Sequence, residues 1–458
     1  MCLTGVGIWR LLYELPGLLV CLQSCWFCWD GRIVEDLQNE NSITVLLSAS
    51  AVQQFAEVNM LIGYCRASLL LGATLLAGLL PLVASSADKP PPPLSVCVNG
   101  HCPTNAVSAP NGIKWHPGHY VWIPHNTQAN QMAAIDALSS ETNVQGIELL
   151  LNWALLEGST PGDYSSGFAL VDTFLAKLAS LKVPKRLILG VAERSFGSPL
   201  AAGTTCGDAA SGLLPGYLVS YSGGGCVVAL PGAAGALSVT ARFWDADVMD
   251  RLIALSLAYA KRYDANPLFE MFIGNGETAV GAPPGSGFDQ GQYNTQLKRW
   301  FDASVPAWSH TQLRLAANFG GSNAQMLDLM TYASANGGVI VGGPDPELPL
   351  PNITRTIQAN QVFRAAIGGG ADFRGKVPWV GEVQSMGLGT RYTQLPAEIN
   401  TYEMNTMHAS YMIWMRNSWL AGAAEMWSTG ILPFIQSVHG KTYAMDCPAI
   451  YKQGCNTK

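Results

Sequence analysis

Leu268-Phe269-Glu270-Met271-Phe272-Ile273 runs directly into Gly274-Asn275-Gly276-Glu277-Thr278. About a hundred residues later, Val377-Pro378-Trp379-Val380-Gly381 runs into Glu382-Val383-Gln384. Each stretch is a short apolar run that ends at a glycine-containing break carrying a glutamate. A carboxylate just past the end of a buried parallel strand lies on the face where α/β barrels assemble their sites. Taken singly, either glutamate also reads as an ion-paired or surface residue at a strand end. The pattern of the whole chain decides between the two.

From about Gly112 onward, strand-length apolar runs alternate with segments of helical periodicity. The spacing predicts strands over His119–Pro124, Gly146–Leu151, Arg186–Ala192, Leu268–Ile273, Leu313–Asn318, Gly338–Gly342, Pro378–Glu382 and Gly422–Trp427. Helices are predicted over Ala129–Leu138, Phe168–Leu181, Asp245–Arg262, Tyr293–Ala307, Ala324–Ala335, Thr354–Ile367 and Tyr402–Trp419, with a last turn near Pro433–Val438. Eight strands alternating with helices predict an α/β fold of the (β/α)₈ TIM-barrel type over residues 112–458. The long stretch Ser195–Ala241, rich in Gly, Ser and Ala, is an insertion after the third strand. It is expected to overhang the face where the strands end, and to form one wall of a cleft there.

At 458 residues and 48% hydrophobic content, the chain can bury a large core. Only 13% of residues are charged, the net charge is −6, and lysines and arginines form no cluster. That balance argues against nucleic acid and anionic membrane as partners. Gly223-Gly224-Gly225 is followed by Cys226-Val227, which lacks the Lys-Ser/Thr of a nucleotide-binding loop. Ser195 and Ser385 have no nucleophile-elbow context, so serine-hydrolase chemistry is not expected.

Residues 60–87 read as a secretory signal peptide: Arg66, an apolar run from Ala67 to Val83, then the small residues Ser85-Ser86-Ala87. The competing reading is an uncleaved membrane anchor, since the run is nearly long enough to span. Residues 1–59, upstream of it, read as an N-terminal extension from a start called too early, with Met60 the true start. Their Cys21-x3-Cys25-x2-Cys28 spacing lacks the second half of a metal site. Residues 88–111 form a proline-rich linker beginning Asp88-Lys89 and Pro90 to Pro93. Beyond Ala87 the cysteines are Cys97, Cys102, Cys206, Cys226, Cys447 and Cys455, three sequence-local pairs. Loop-stapling disulfides in an oxidising compartment, outside the cell or in a periplasm, are the simple reading.

Polar groups at predicted strand ends are plentiful: Asn152, Glu193, Asn275, Glu277, Asn318, Asp345 and Glu382. Trp153 follows the second strand and Trp427 ends the predicted eighth. Carboxylates and carboxamides with flat aromatic walls suit a sugar, whose hydroxyls hydrogen-bond and whose ring face stacks on indole. Core packing is the equal alternative for both tryptophans. Two carboxylates brought together by the fold are the minimum equipment for glycoside hydrolysis. Glu193-Arg194 either binds substrate or is an ion pair holding the long insertion. Glu148 and Glu270 fall inside strands, where a glutamate is more often buried and paired. His116, His119 and His125 match no helical metal-ligand spacing. No metal and no cofactor are implied.

Leu151-Asn152-Trp153-Ala154-Leu155-Leu156-Glu157, then Pro161-Gly162-Asp163-Tyr164, resembles the Trp-x-x-Leu-Glu … Gly-x-Tyr passage after strand two of clan A glycoside hydrolases. Those are retaining (β/α)₈ enzymes. The resemblance covers about Gly112 to Val438. It implies an acid/base glutamate after strand four, matched by Glu277, and a nucleophile after strand seven, matched by Glu382. It also implies a tryptophan at the end of strand eight, matched by Trp427, and an oligo- or polysaccharide substrate. The family's acid/base directly follows an asparagine that binds the sugar, whereas Gly276 here separates Asn275 from Glu277. A barrel that keeps carbohydrate binding without hydrolysis is therefore the alternative implied by the same residues.

Overall fold

The computed structural model describes residues 112–123, 127–196, 204–221, 224–228, 237–276, 282–317, 321–336, 339–344, 362, 372–383, 395–416, 427–443 and 446–457. The extension, the signal-like run, the linker, Cys97, Cys102 and the predicted helix Thr354–Ile367 (residue 362 apart) lie outside them. Among the described residues no helix is long and apolar enough to cross a membrane.

The strands, in chain order, are β1 (Ile113–Lys114), β2 (Gly118–Trp122), β3 (Val144–Asn152), β4 (Arg186–Ala192), β5 (Arg194–Phe196), β6 (Cys226–Val228), β7 (Leu237–Ala241), β8 (Phe269–Ile273), β9 (Gln312–Ala316), β10 (Val339–Pro344), β11 (Trp379–Val383), β12 (Ala409–Met415) and β13 (Cys455–Asn456). β2, β3, β4, β8, β9, β10, β11 and β12 close in that order into a barrel, every neighbour parallel. Both faces of each strand are buried, one against the barrel interior and one against the helices. That is why the strands read as near-continuous apolar runs, broken only by a few buried polar residues. The helices that pack outside include α1 (Gln128–Asp136), α2 (Trp153–Leu156), α3 (Ser165–Ala179), α4 (Cys206–Ala209), α5 (Gly216–Val219), α6 (Ala246–Tyr263), α7 (Gln290–Ser304), α8 (Asn323–Ala335), α9 (Pro396–Tyr402) and α10 (Leu432–Ser437).

The first seven predicted strands are present, shifted by at most a few residues. The predicted eighth, Gly422–Trp427, lies outside the described residues apart from Trp427, and the barrel's eighth strand is another. β12 closes the barrel, pairing with β11 and β2, and it lies inside the predicted helix Tyr402–Trp419. Met404, Met407, Tyr411, Trp414 and Met415 recur at helical spacing, which hid the strand. Being buried on both faces, β12 shows no alternation to contradict that spacing. The break is at His408, whose φ of 59° ends the π-turn Glu403–Met407 in the left-handed region. Trp427 opens a second π-turn, Trp427–Ile431, and does not end a barrel strand.

The amino-terminal end of the barrel is plugged. β1 pairs with β13 beneath it, and the Cys447–Cys455 disulfide ties the last loop. Above this plug, Glu270 accepts hydrogen bonds from the His116 backbone N–H (2.9 Å), from His116 Nδ1 (2.8 Å) and from the Tyr411 hydroxyl (2.8 Å). Burial alone would raise Glu270, but His116, Arg186 and Tyr411 hold it down at about 2. Glu270 is thus a paired group of the closed end, remote from the strand ends that matter for chemistry. His119 is likewise internal: Trp414 Nε1 donates to its Nδ1 (2.9 Å), its Nε2 meets the Lys441 carbonyl (3.1 Å), and burial lowers it to about 4.

The insertion after the third barrel strand is ordered around a small antiparallel sheet, β5-β7-β6, and the Cys206–Cys226 disulfide. Residues 197–203, 222–223 and 229–236 within it lie outside the described set. It rests on the carboxyl end of β3: the Ala154 N–H donates to the Leu213 carbonyl (3.0 Å), and Asn152 Nδ2 to the Gly212 carbonyl (2.8 Å). A groove of about 410 Å³ runs between it and the loop after α2, lined by Ala154, Gly158, Gly212 and Leu214 among others.

Candidate active site at the carboxyl end of the barrel

Side chains alternate along a strand. In β11, Val380 packs in the barrel interior, so Glu382 also points inward. Its flanking residues Gly381 and Val383 face the helical shell. Glu382 is only 3% exposed, and it stands one residue from the end of β11. In β9 the same alternation turns Gln312, Arg314 and Ala316 inward. In β3 it turns Glu148 inward beside Leu150.

Arg314 bridges the two carboxyls. Its Nη1 donates to Glu148 Oε2 at 2.9 Å, and its Nη2 donates to Glu382 Oε2. All three side chains are buried. Burial first, and then the charge of Glu382, push Glu148 up to about 8, with Arg314 acting in the opposite direction. A buried guanidinium between two carboxyls holds Glu382 as a fixed acceptor at the strand end. Removing one partner from such a buried pair typically costs about 3–5 kcal/mol. Neither Arg314 nor its link to Glu148 is foreseen by the strand-end reading. The available signal was the pattern Gln312-Leu-Arg314-Leu-Ala316, which puts two polar residues on one face of a fully buried strand.

Glu277 lies outside the described residues, but the chain leading to it is anchored. Asn275 is fully buried, and its Nδ2 donates to the Ala316 carbonyl at 3.1 Å, joining the ends of β8 and β9. The next N–H, of Gly276, donates to Glu193 Oε2 at 2.8 Å. The other Glu193 oxygen is held by Arg194, at 2.7 Å from Nε and 2.6 Å from Nη2. Both oxygens of Glu193 are therefore occupied. The ion pair of the sequence reading is present, and Glu193 also fastens Gly276, the residue before Glu277. A Cβ on Gly276 would come within 3.0 Å of Glu193 Oε2, so a side chain there would push the carboxylate away.

The other residues expected to bind substrate divide. Asn318 and Asp345 lie outside the described residues. Asn152 spends its amide on the insertion. Trp153 is fully buried in the outer core, where its Nε1 donates to Glu157 Oε2 (2.9 Å) and its ring packs near Phe243. It offers no face to a ligand, which corrects the expectation that it forms an aromatic wall. Glu157 also accepts from the Gly162 N–H (2.7 Å) and pairs with Arg251. The Trp153, Glu157 and Gly162 positions of the quoted passage thus form a staple between the loop after β3 and α6. Trp427 is 6% exposed and packs in the outer core. Among the described residues there is no cluster of His, Cys, Asp and Glu able to hold a metal.

No family model and no curated protein matches the chain. Solved structures similar to it include the catalytic domain of β-amylase from Paenibacillus polymyxa, at 9% identity and a TM-score of 0.46 over 66% of this chain and 92% of that one. The β-glucanase SdGluc5_26A from Saccharophagus degradans, with cellotetraose, is similar at 11% identity and 0.43, over 70% and 88%. Endo-glycoceramidase II from Rhodococcus sp. is similar at 14% identity and 0.44, over 67% and 76%. The fold itself rests on the closed strand order described above.

Proposed function

We propose that the chain is a secreted glycoside hydrolase that cleaves an O-glycosidic bond of an oligo- or polysaccharide at the carboxyl end of the barrel. The observation that carries this reading is Glu382: an inward carboxylate at the end of β11, buried and ion-paired with Arg314. Such a group is held aimed into the barrel, as a nucleophile must be. In the first step a Glu382 oxygen attacks the anomeric carbon, the bond to the leaving oxygen breaks, and Glu277 gives that oxygen its proton. In the second, Glu277 takes a proton from water, whose oxygen displaces Glu382 and frees the sugar with its original anomeric configuration. Asn275 holds the start of the Glu277 loop against β9. Asn318 and Asp345 remain the candidates for holding the sugar; Trp427, packed in the outer core, is not one of them. Secretion is supported by the signal-like residues 60–87 and by the Cys206–Cys226 and Cys447–Cys455 bonds.

A second reading, a carbohydrate-binding barrel without hydrolysis, is favoured by Gly276, which separates Asn275 from Glu277. One experiment divides the two. Wild type, Glu382→Gly and Glu277→Gln are assayed on a panel of aryl glycosides and oligosaccharides. Hydrolysis by the wild type is expected to vanish in Glu382→Gly and to return with added azide as a glycosyl azide of inverted configuration. Glu277→Gln should lose about 10²–10⁴-fold in rate. Sugar binding by the wild type without turnover of any substrate would establish the second reading. A crystal structure should show the two carboxyl groups roughly 5–5.5 Å apart.

A further inference from the structure

The barrel interior holds one guanidinium between two carboxyls. Glu148 and Glu382 engage different nitrogens of Arg314, Nη1 and Nη2. Arg314 and Glu148 are fully buried and Glu382 nearly so. If both carboxyls were ionised, the cluster would carry a net negative charge with almost no water to solvate it. Uncompensated buried charge is costly enough that groups take up or lose protons instead. Burial thus favours a proton on the more deeply placed of the two carboxyls. Glu382 stands at the open end of its strand, while Glu148 lies four positions inside the end of β3. Glu148 Oε1 has no hydrogen-bond partner among the described residues, so it is free to carry the proton. The charged groups acting on Glu148 are Arg314, from β9, and Glu382, from β11. Its register neighbours on the flanking strands, Trp122 and Ile188, do not titrate there. The upward displacement of Glu148 to about 8 agrees with this assignment.

We propose that Glu148 is a positioning residue that keeps Arg314 supplied with a single anionic partner: it holds a proton while Glu382 is charged and releases it when Glu382 is neutralised. The catalytic consequence rests on Glu382 being the nucleophile. When a Glu382 oxygen bonds to the anomeric carbon, the carboxylate becomes an ester and its charge disappears. Arg314 would then be a buried cation facing two neutral groups. Glu148 restores the balance by losing its proton to solvent, and it takes one back when hydrolysis frees Glu382. The sum over one turnover is zero protons. Glu148 touches no substrate in this scheme.

The test reads the proton itself. Infrared difference spectra are recorded near pH 6.5 on wild type, Glu148→Gln and Glu382→Gln, with circular dichroism confirming the fold of each. The wild type is expected to show a protonated-carboxyl C=O band that Glu148→Gln lacks. In Glu382→Gln the same band should be gone and a carboxylate band gained, because Glu148 has become the counter-charge of Arg314. Kinetically, Glu148→Gln cannot ionise, so kcat/KM on aryl glycosides should fall by about tenfold or more, with partial recovery in Glu148→Asp. Glu403, buried and pushed up to about 8, contributes a C=O band common to all three proteins that cancels in the differences. No C=O band in the wild-type-minus-Glu148→Gln difference would overturn the proposal, since Glu148 would then be ionised throughout. No C=O band in the wild-type-minus-Glu382→Gln difference would overturn it too, since Glu148 would be protonated by burial alone. The spectra decide whether or not any glycoside is hydrolysed; absence of turnover bears only on the function proposed above.

Discussion

Replacing Arg314 by methionine removes the counter-charge of two buried carboxyls while keeping most of the side-chain volume. Breaking a buried ion pair from one side costs about 3–5 kcal/mol, because the partner is left charged in a poorly solvating interior. Whole-protein stabilities are about 5–15 kcal/mol, so the loss is a large share of the total. The magnitude should depend on pH in a definite direction. Without Arg314, a buried carboxylate escapes its penalty only by taking up a proton. The lower the pH, the smaller the cost of that uptake, by about 1.4 kcal/mol per unit. Arg314→Met should therefore lose the full amount near pH 8 and clearly less near pH 5. The assay is urea unfolding followed by circular dichroism, comparing midpoints at unchanged slope. A companion variant, Glu148→Leu/Arg314→Met/Glu382→Leu, should recover most of the stability, since exchanging a whole buried ionic cluster for apolar groups is often neutral or better. A loss below about 1 kcal/mol at both pH values would refute the account, because the guanidinium would then not be balancing either carboxyl.

Two further outcomes follow from other parts of the molecule. Glu403 is fully buried on the π-turn before β12, where Trp379 Nε1 donates to it at 2.9 Å; burial, opposed by that bond, pushes it up to about 8. A carboxyl raised in the folded state contributes stability that is complete below its unfolded value and is lost as pH rises through the folded one. Wild-type stability relative to Glu403→Gln should therefore fall by about 1.4 kcal/mol per unit between pH 5 and 7; parallel pH profiles for the two proteins would mean Glu403 is ionised. Replacing Cys206 and Cys226 by serine reopens a loop spanning 20 residues, at a cost of about 3 kcal/mol in loop-closure entropy. Because this loop rests on the end of β3, Michaelis constants should change across glycosides more than turnover on a small aryl glycoside; equal loss on every substrate would assign the loop to barrel stability instead.

The sequence alone determined the alternation of apolar runs and helices, seven of the eight barrel strands, the insertion after the third, and the grouping of the cysteines into sequence-local pairs; the structure supplied the Cys206–Cys226 and Cys447–Cys455 bonds. The former are local or periodic properties, and composition and spacing carry them. Glu382 was legible for the same reason: a polar residue at the end of a buried run is conspicuous. β12 was not, because a strand buried on both faces has no alternation, and its methionines and aromatics fall at helical spacing. Trp153 was placed on the wrong side for a related reason. Its position after β3 is fixed by the chain, but the insertion and α2 decide which way its ring turns, and they turn it into the core. The cluster of Glu148, Arg314 and Glu382 belongs wholly to the tertiary structure. Alternation says that each points into the barrel. Only closure and the register of parallel strands bring β3, β9 and β11 round to face one another, so that one guanidinium reaches two carboxyls more than 60 residues away on either side.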